Sequence, residues 1–260
     1  ELLGFFSRRR PEIGLSEMVR LAGRDKATVH RHLVELEENG FLEQNRATRA
    51  YTLGPAILRL TAIREATHPI RTVFRPIVEQ LARETGELCH TSLLQGNVLS
   101  PVFHSDPLEH GTQVIFDEGE ILPLHATSSG IAVLAFSTKK FVDAALAQPL
   151  PAYTDRTHTE VAQILTVMDA TRREGLCRLD QAFDSEVCSI GGPIFGPDAH
   201  PIGSIAVAVP SVRSTPEKMA DLRAALGIAV RQATMSIGGM LPRDYPAQGA
   251  APRSINNIHS

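Results

Sequence analysis

The spacing of apolar residues between positions 15 and 40 predicts two short helices joined by a tight turn. The first helix is expected to have Ser16 as its N-cap, because serine accepts a hydrogen bond from a free amide. It is expected to end at Gly23, because glycine tolerates the left-handed conformation. Its apolar face comprises Met18, Val19 and Ala22. A short amphipathic helix followed by a glycine turn is typical of a helix-turn-helix unit.

The second helix is expected to start at Asp25, as its cap, and to run to about Asn39. Its apolar residues have the i, i+4, i+7 spacing of one narrow buried stripe: Val29, Leu33 and Leu36. Small and basic residues point the opposite way, towards solvent or a groove: Ala27, His30, Arg31 and Val34. This pattern suits a recognition helix that enters the major groove of DNA.

A hairpin with a basic tip is predicted directly after the second helix. One strand opens at 41–43 and another closes at 50–53, and the polar turn between them carries Arg46 and Arg49. Such a hairpin is the wing of a winged helix-turn-helix, and its tip can contact phosphates or the minor groove. The alternative is a helical hairpin packed on a small sheet inside an enzyme, with both arginines merely solvated.

Pro55 is expected to begin a third helix, since proline is favourable in the first turn. Ile57, Leu60 and Ile63 give this helix an apolar face that must be buried, and a second copy of the same helix is a natural partner. His68-Pro69 marks its end.

Residues 70–242 alternate between helical and strand-like segments, which predicts an α+β body. Helices are expected near 70–86, 131–136, 160–174 and 216–237. Strands are expected near 88–94, 98–104, 113–116, 176–181, 189–195 and 202–209. The expected organisation is a winged helix-turn-helix DNA-binding domain at 1–54, a linker helix at 55–68, a body at 69–242 and a disordered tail at 243–260.

The composition is that of a water-soluble protein with two folded parts. A chain of 260 residues can form two domains with real cores, and no run of 18 apolar residues predicts a membrane span. The three cysteines form no C-x-x-C pair, which suits free thiols in a reducing cytoplasm.

Charge is distributed unevenly along the chain. Residues 1–75 carry 13 basic and 9 acidic side chains, a net charge of +4, whereas residues 76–260 carry 13 basic and 20 acidic side chains, a net charge of −7. A basic head on an acidic body fits a head that binds DNA and a body that does not. Ordinary scatter of surface charge would also give values of this size.

Five motifs, in order along the chain, resemble the IclR family of bacterial transcription regulators. They are 26–33 (KATVHRHL), 51–54 (YTLG), 81–87 (LARETGE), 122–130 (LPLHATSSG), and Asp180-Gln181 ahead of 189–194 (SIGGPI). The resemblance implies a winged helix-turn-helix head, a linker helix and a GAF-like body that binds a small effector. It also implies homodimers, often paired into tetramers, and effectors that are organic acids or aromatic catabolites.

Several positions depart from the family pattern. Ile131 stands where lysine is common, and Ala182 interrupts an acidic D-x-E pattern. Leu179 stands where one type of member has aspartate, and Ala206 and Ala208 stand where serines can occur. These changes make the implied pocket less polar, which favours a larger or more apolar carboxylate.

The candidate DNA contacts fall into three groups. Arg31 and His30 are candidates for base edges, because arginine can form two hydrogen bonds with guanine. Lys26 and Thr28, near the helix start, suit phosphates. Arg24, Arg46 and Arg49 suit phosphates or the minor groove, although each could be an ordinary solvated charge.

The candidate effector contacts begin at a turn that leads into a helix. Free amides at a helix N-terminus favour an anion, which points to His125, Ala126, Thr127 and Ser128. By resemblance, the far wall comes from Asp180, Val187, Ser189, Ala206 and Ala208. His125 is also suited to a purely structural bond with the backbone.

The rival interpretation is a metabolite-binding or metabolite-processing enzyme domain with an accessory DNA-binding head. His125, Asp180 and Ser189 could be imagined as a triad, but the sequence has no G-x-S-x-G elbow. No pair of histidines or cysteines has compact metal-ligand spacing. No catalytic residue, metal or cofactor is therefore expected; the expected partners are an operator in double-stranded DNA and a small effector, and no membrane.

Overall fold

A computed structural model describes residues 1–246, which form two compact units that divide after Pro69. The first unit opens with a 3-10 helix at Leu2–Phe5. Its remaining elements are α1 (Leu15–Ala22), α2 (Lys26–Glu38), β1 (Leu42–Gln44), β2 (Tyr51–Leu53) and α3 (Ala56–Thr67). β1 and β2 form an antiparallel hairpin, and Ile13 adds a single bridge to Tyr51.

The caps of the two helices follow from local chemistry. Gly23 ends α1 in the left-handed conformation (φ 61°), and the Asp25 carboxylate accepts a hydrogen bond from the Thr28 amide at 2.9 Å, as expected. The prediction of Ser16 as the N-cap of α1 is wrong. Gly14 holds that place, and its carbonyl accepts from the Met18 amide.

The core of the first unit lies under the predicted apolar stripe. Val29 and Leu33 of α2 are fully buried with Met18 of α1 and Tyr51 of β2, whereas Leu36 is half-buried. This packing fixes α2 from below and leaves its opposite face in solvent.

The second unit contains one six-stranded antiparallel sheet in the order β5-β4-β3-β8-β7-β6. Its strands are β3 (Leu88–Gln95), β4 (Val98–Ser105), β5 (Leu122–Pro123), β6 (Cys177–Asp180), β7 (Val187–Phe195) and β8 (Pro201–Pro210). Its helices are α4 (Ile70–Thr85), α5 (Ser128–Phe136), α6 (Lys139–Leu146), α7 (Val161–Glu174) and α8 (Pro216–Ser236). This is the α+β architecture that the sequence predicts.

Two apolar cores lie on opposite faces of this sheet. α4 and α8 pack with Cys89, Ile190 and Val207 on one face. On the other, α5, α6 and α7 pack with Leu99 and Leu179. Strand alternation therefore assigns each side chain of β3, β7 and β8 to the α4/α8 face or the α5 face.

Two expectations for the second unit fail, and one helix was not expected. Residues 113–116 form no strand, because β5 takes the edge of β4 and Phe116 instead stacks on the ring of His90. α5 begins at Ser128 rather than Ile131, and α6 was not predicted.

The expected disorder of residues 243–260 is wrong for 243–246. There the Tyr245 hydroxyl donates to the Gly175 carbonyl at 2.9 Å, and its ring packs on Phe136 and Phe195. The rest of the expected tail lies outside the described residues.

α5 contacts the sheet at Gly191 of β7. A β-carbon on Gly191 would lie 2.7 Å from both the Ser128 carbonyl carbon and the Ser129 nitrogen, closer than van der Waals contact permits. Only glycine allows the first turn of α5 to lie directly on β7. Among the helices of residues 1–246, none is long and apolar enough to cross a membrane.

Candidate functional sites

α2 presents a basic, largely exposed face. Lys26, Ala27, His30 and Arg31 are exposed, and Thr28 is half-buried beside the cap. Because Val29 and Leu33 are buried below, His30 and Arg31 are held pointing outwards. Arg24 lies in the turn before α2, where its guanidinium pairs with the Glu1 carboxylate at 2.9 Å.

The tip of the hairpin is a compact, hydrogen-bonded turn. The Asn45 side chain accepts from the amides of Ala47 and Thr48, and the Asn45 carbonyl accepts from the Arg49 amide at 2.8 Å. Arg49 has φ 61°, a left-handed conformation uncommon for residues other than glycine. Arg46 and Arg49 are both exposed, so the turn displays two cations on a defined backbone.

In the second unit, the α5 face of the sheet has a floor of small side chains. Gly191 of β7 pairs with Ala206 of β8, and Ser189 pairs with Ala208. Ala206 in turn pairs with His90 of β3. Paired residues share a face, so these five positions lie together. The small side chains at Gly191 and Ala206 let the first turn of α5 lie close to the sheet.

The first turn of α5 borders this floor. Thr127 caps the helix: its hydroxyl accepts from the Gly130 amide at 3.0 Å and donates to the Pro123 carbonyl at 2.8 Å. The amides of Ser128 and Ser129 belong to the free N-terminal group, where the helix dipole favours negative charge. The turn therefore has the electrostatics to receive a carboxylate.

His125 has a structural partner at this turn. Its ring Nε2 donates to the Pro151 carbonyl at 3.0 Å, and the side chain is only 6% exposed. The ring centroids of His125 and Tyr153 are 6.0 Å apart, and those of Tyr153 and Phe183 are 4.9 Å apart, so the three rings form an aromatic wall. Burial, with a smaller contribution from Glu120, raises the pKa of Tyr153, so the Tyr153 hydroxyl is uncharged at neutral pH.

The register separates Asp180 from the floor. Asp180 pairs with Cys188, which packs on the α4/α8 face, whereas Ser189 and Leu179 pair on the α5 face. The Asp180 carboxylate instead accepts from Arg178 Nε at 2.8 Å. The expectation that Asp180 joins Ser189 and Ala208 in one site therefore fails, because neighbouring strand residues point to opposite faces.

Several residues near the floor were missed by the sequence argument. His90 stacks on Phe116 with 4.5 Å between ring centroids, and Ser92 and Ser204 pair across β3 and β8. Polar residues at alternate positions of an apolar strand, His90 and Ser92, were the available signal. Across residues 1–246, no group of three or more His, Cys, Asp and Glu side chains could hold a metal ion.

His90 is neutral in the folded protein. Burial, followed by the nearby His104, lowers its pKa to about 3. His104 itself contacts Glu118, with 2.7 Å between Nδ1 and the carboxylate, and Arg71 reaches the other carboxylate oxygen at 3.1 Å. The contacts of Glu118 with His104 and Arg71 therefore anchor the segment that carries Phe116.

Comparison with known proteins gives two matches to models of one family. The model described as bacterial transcriptional regulator IclR C-terminal matches residues 65–235. The model described as the IclR helix-turn-helix domain matches residues 1–46.

Curated relatives match most of the chain. It is 30% identical to the glycerol operon regulatory protein of Streptomyces coelicolor, covering 86% of this chain and 87% of that protein. It is 29% identical to the HTH-type transcriptional regulator KipR of Bacillus subtilis, with 88% and 91% covered.

Solved structures share the fold. An IclR transcriptional regulator from Silicibacter sp. TM1040 is similar with a TM-score of 0.88 and 44% identity, covering 95% of this chain and 97% of that one. An IclR homologue from Microbacterium hydrocarbonoxydans, complexed with 4-hydroxybenzoate, is similar with a TM-score of 0.70 and 21% identity, covering 90% and 96%.

The lowered pKa of His90 predicts a loss of stability in mild acid. Below pH 6.5 the unfolded chain binds a proton at this histidine, but the folded chain does not until about pH 3. The stabilisation is therefore complete well above pH 6.5, near pH 7.5, and decreases as the pH falls through 6.5 towards 3. Between pH 7.5 and 5.5, His90 should account for about 1.4 kcal/mol of lost unfolding free energy.

Urea unfolding at the two pH values measures this change. His90→Leu should abolish the His90 share of the pH dependence, whereas His200→Gln, at an exposed turn position, should keep it. The same pH dependence in His90→Leu and the unchanged protein would contradict the assignment.

Proposed function

Because the chain belongs to the IclR family of bacterial transcriptional regulators, we propose that a small carboxylic acid bound by its C-terminal domain controls operator binding by its N-terminal domain. The family gives it a helix-turn-helix DNA-binding domain and a C-terminal effector-binding domain. The proposed ranges are 1–54 for the DNA-binding domain, 55–68 for the linker helix and 69–242 for the effector-binding domain. The observation that carries the proposal is the first turn of α5 lying on Gly191, beside a floor of small side chains.

We assign the DNA contacts by exposure and position. Arg31 and His30, exposed on α2, read base edges, and Lys26 and Thr28 hold phosphates near the helix start. Arg46 and Arg49 on the hairpin tip contact phosphates or the minor groove. Arg24 joins them when its ion pair with Glu1 opens.

We assign the effector to the α5 face of the sheet. Its carboxylate lies at the turn formed by Ala126, Thr127 and Ser128, which His125 supports through Pro151. Its body lies over Val187, Ser189, Ala206 and Ala208. The floor's alanines favour an organic or aromatic acid with an apolar body, and an IclR homologue of this fold is complexed with 4-hydroxybenzoate. The acid acts by binding one arrangement of the two DNA-binding domains better than another.

The linker helix supports a homodimer, which could pair again into a dimer of dimers. Leu58 of α3 is 75% exposed and Ile63 is 50% exposed, so an apolar surface is left open. A second copy of α3 would bury this apolar surface in a dimer. The two DNA-binding domains would then bind the two half-sites of a pseudo-palindrome.

We propose a regulator without catalytic activity that works in the cytoplasm, where its operator lies. Two of the three residues of the imagined triad have other contacts: His125 binds the Pro151 carbonyl, and Asp180 binds Arg178 on the opposite face from Ser189. The relatives that match are named as regulators.

Arg31→Ala is expected to weaken operator binding about 5- to 150-fold and to relax sequence preference, because a base contact worth about 1–3 kcal/mol is lost. Fluorescence anisotropy with operator and scrambled duplexes at fixed salt measures both effects. Arg173→Ala, the same change at an exposed site on α7, is the control and should bind as before. Unchanged affinity for Arg31→Ala would rule out this residue as a base contact.

A thermal-shift panel of small organic and aromatic acids tests the effector. An acid present at 100 times its Kd should add about 2.7 kcal/mol to the stability of the protein. Each acid that shifts the Tm is then added to the operator-binding assay, where it should change the affinity. If no acid shifts the Tm, or if bound acids leave operator affinity unchanged, the domain is a scaffold rather than a sensor.

Leu58→Glu is expected to shift the protein from dimer towards monomer in sedimentation velocity, because a charge would be buried between two copies of α3. Val212→Glu, at another exposed apolar position, should leave the mass unchanged. A dimer of undiminished stability in Leu58→Glu would place the interface elsewhere.

A further inference from the structure

Three neighbouring polar atoms on the α5 face of the sheet are buried without a hydrogen-bond partner. They are His90 Nδ1, Ser92 Oγ and Ser204 Oγ. Ser92 and Ser204 are fully buried, and His90 is 6% exposed. Most buried polar atoms in proteins are paired, because an unpaired one loses its hydration without compensation. Three such atoms together indicate that something else completes their hydrogen bonds.

The sheet register brings the three side chains into one group, here called the polar strip. Ser92 of β3 pairs directly with Ser204 of β8, so their β-carbons lie about 5 Å apart. His90 is two residues before Ser92 and therefore on the same face, about 7 Å away. The hydroxyl of Thr91, between them, points to the other side and donates to the Ser204 carbonyl at 3.0 Å.

The polar strip carries no charge. Its two hydroxyls are neutral, and burial keeps the pKa of His90 at about 3. The polar side chains next to the strip contact one another: His104, which pairs with His90, contacts Glu118, and Glu118 also binds Arg71. An uncharged hydroxyl or carbonyl group can exchange hydrogen bonds with such a strip, whereas a carboxylate would find no charged partner among the strip's own three groups.

The strip lies at a fixed distance from the first turn of α5. The first turn of α5 lies on Gly191 of β7. Gly191 pairs with Ala206 of β8, and Ala206 pairs in turn with His90 of β3. Two strand spacings separate Gly191 from His90, about 10 Å. The ring of Phe116, stacked on His90, gives this end an apolar cover.

We propose that the polar strip binds an uncharged hydroxyl or carbonyl group of the effector, whose carboxylate lies at the first turn of α5. The effector class is then a hydroxy- or oxo-carboxylic acid with its two polar ends on opposite sides of an apolar body. This inference rests on the proposed function, since it takes the effector site on the α5 face as its starting point.

Stability of the ligand-free full chain gives the first test. Ser92→Ala and Ser204→Ala each remove an unpaired hydroxyl, so the Tm should stay the same or rise. Thr91→Val is the matched control, because it removes a paired hydroxyl from the same strand and should lower the Tm by about 2–6 °C. A loss of Tm in both serine variants equal to that of Thr91→Val would show that the hydroxyls serve the fold, and would overturn the proposal.

Binding of two matched acids gives the second test. In isothermal titration calorimetry, the unchanged protein should bind 4-hydroxybenzoate about tenfold more tightly than benzoate, which lacks only the hydroxyl. His90→Leu should lose this preference and bind both acids like benzoate. Ser204→Ala should reduce the preference in part, which provides a readout if His90→Leu fails to fold. Equal preference in the variants and the unchanged protein would overturn the proposal.

The two proposals fail in different ways. If neither acid binds the unchanged protein, the effector class named for the strip is wrong, while any panel acid that changes operator affinity still supports the proposed function. If 4-hydroxybenzoate binds with the expected preference but leaves operator affinity unchanged, the strip is supported and the regulatory role of the acid is contradicted.

Discussion

The close approach of α5 to β7 at Gly191 is the constraint on which the second domain depends. A β-carbon at this position would collide with the backbone of Ser128 and Ser129. The absence of a side chain lets the helix lie on the sheet at its own first turn, so free amides and the helix dipole meet the floor directly. Ala206, the neighbour of Gly191 across the sheet, continues the same shallow surface. The contact that packs α5 on the sheet therefore also fixes the position of the positive end of the helix dipole.

The DNA-binding domain could be predicted in detail because its signals are local. Asp25 caps the helix that starts beside it, Gly23 ends the helix that precedes it, and Val29 and Leu33 are buried as their spacing indicates. Each of these depends on atoms within a few residues along the chain. The error at Ser16 is of the same kind, because Gly14 offers its carbonyl two residues earlier.

The effector-binding domain was harder to predict because its site depends on pairing between distant strands. Nothing near Asp180 in sequence tells which face it takes; the pairing with Cys188 decides it, and a shift of one residue would reverse the answer. Residues 113–116 have a strand-like composition, but β5 already occupies the edge of β4. His90, Ser92 and Ser204 form a group only once β3 and β8 are paired across more than a hundred residues of chain.

At Arg49, on the tip of the hairpin, the backbone conformation favours glycine, whereas the side chain supplies a positive charge. Its left-handed conformation costs a residue with a β-carbon about 1 kcal/mol, which glycine would not pay. A glycine there would relax the turn and remove one of its two cations. Selection of variants for thermal robustness alone would therefore tend to lower the positive charge of the hairpin tip, so conformational ease and surface charge are in competition at this position.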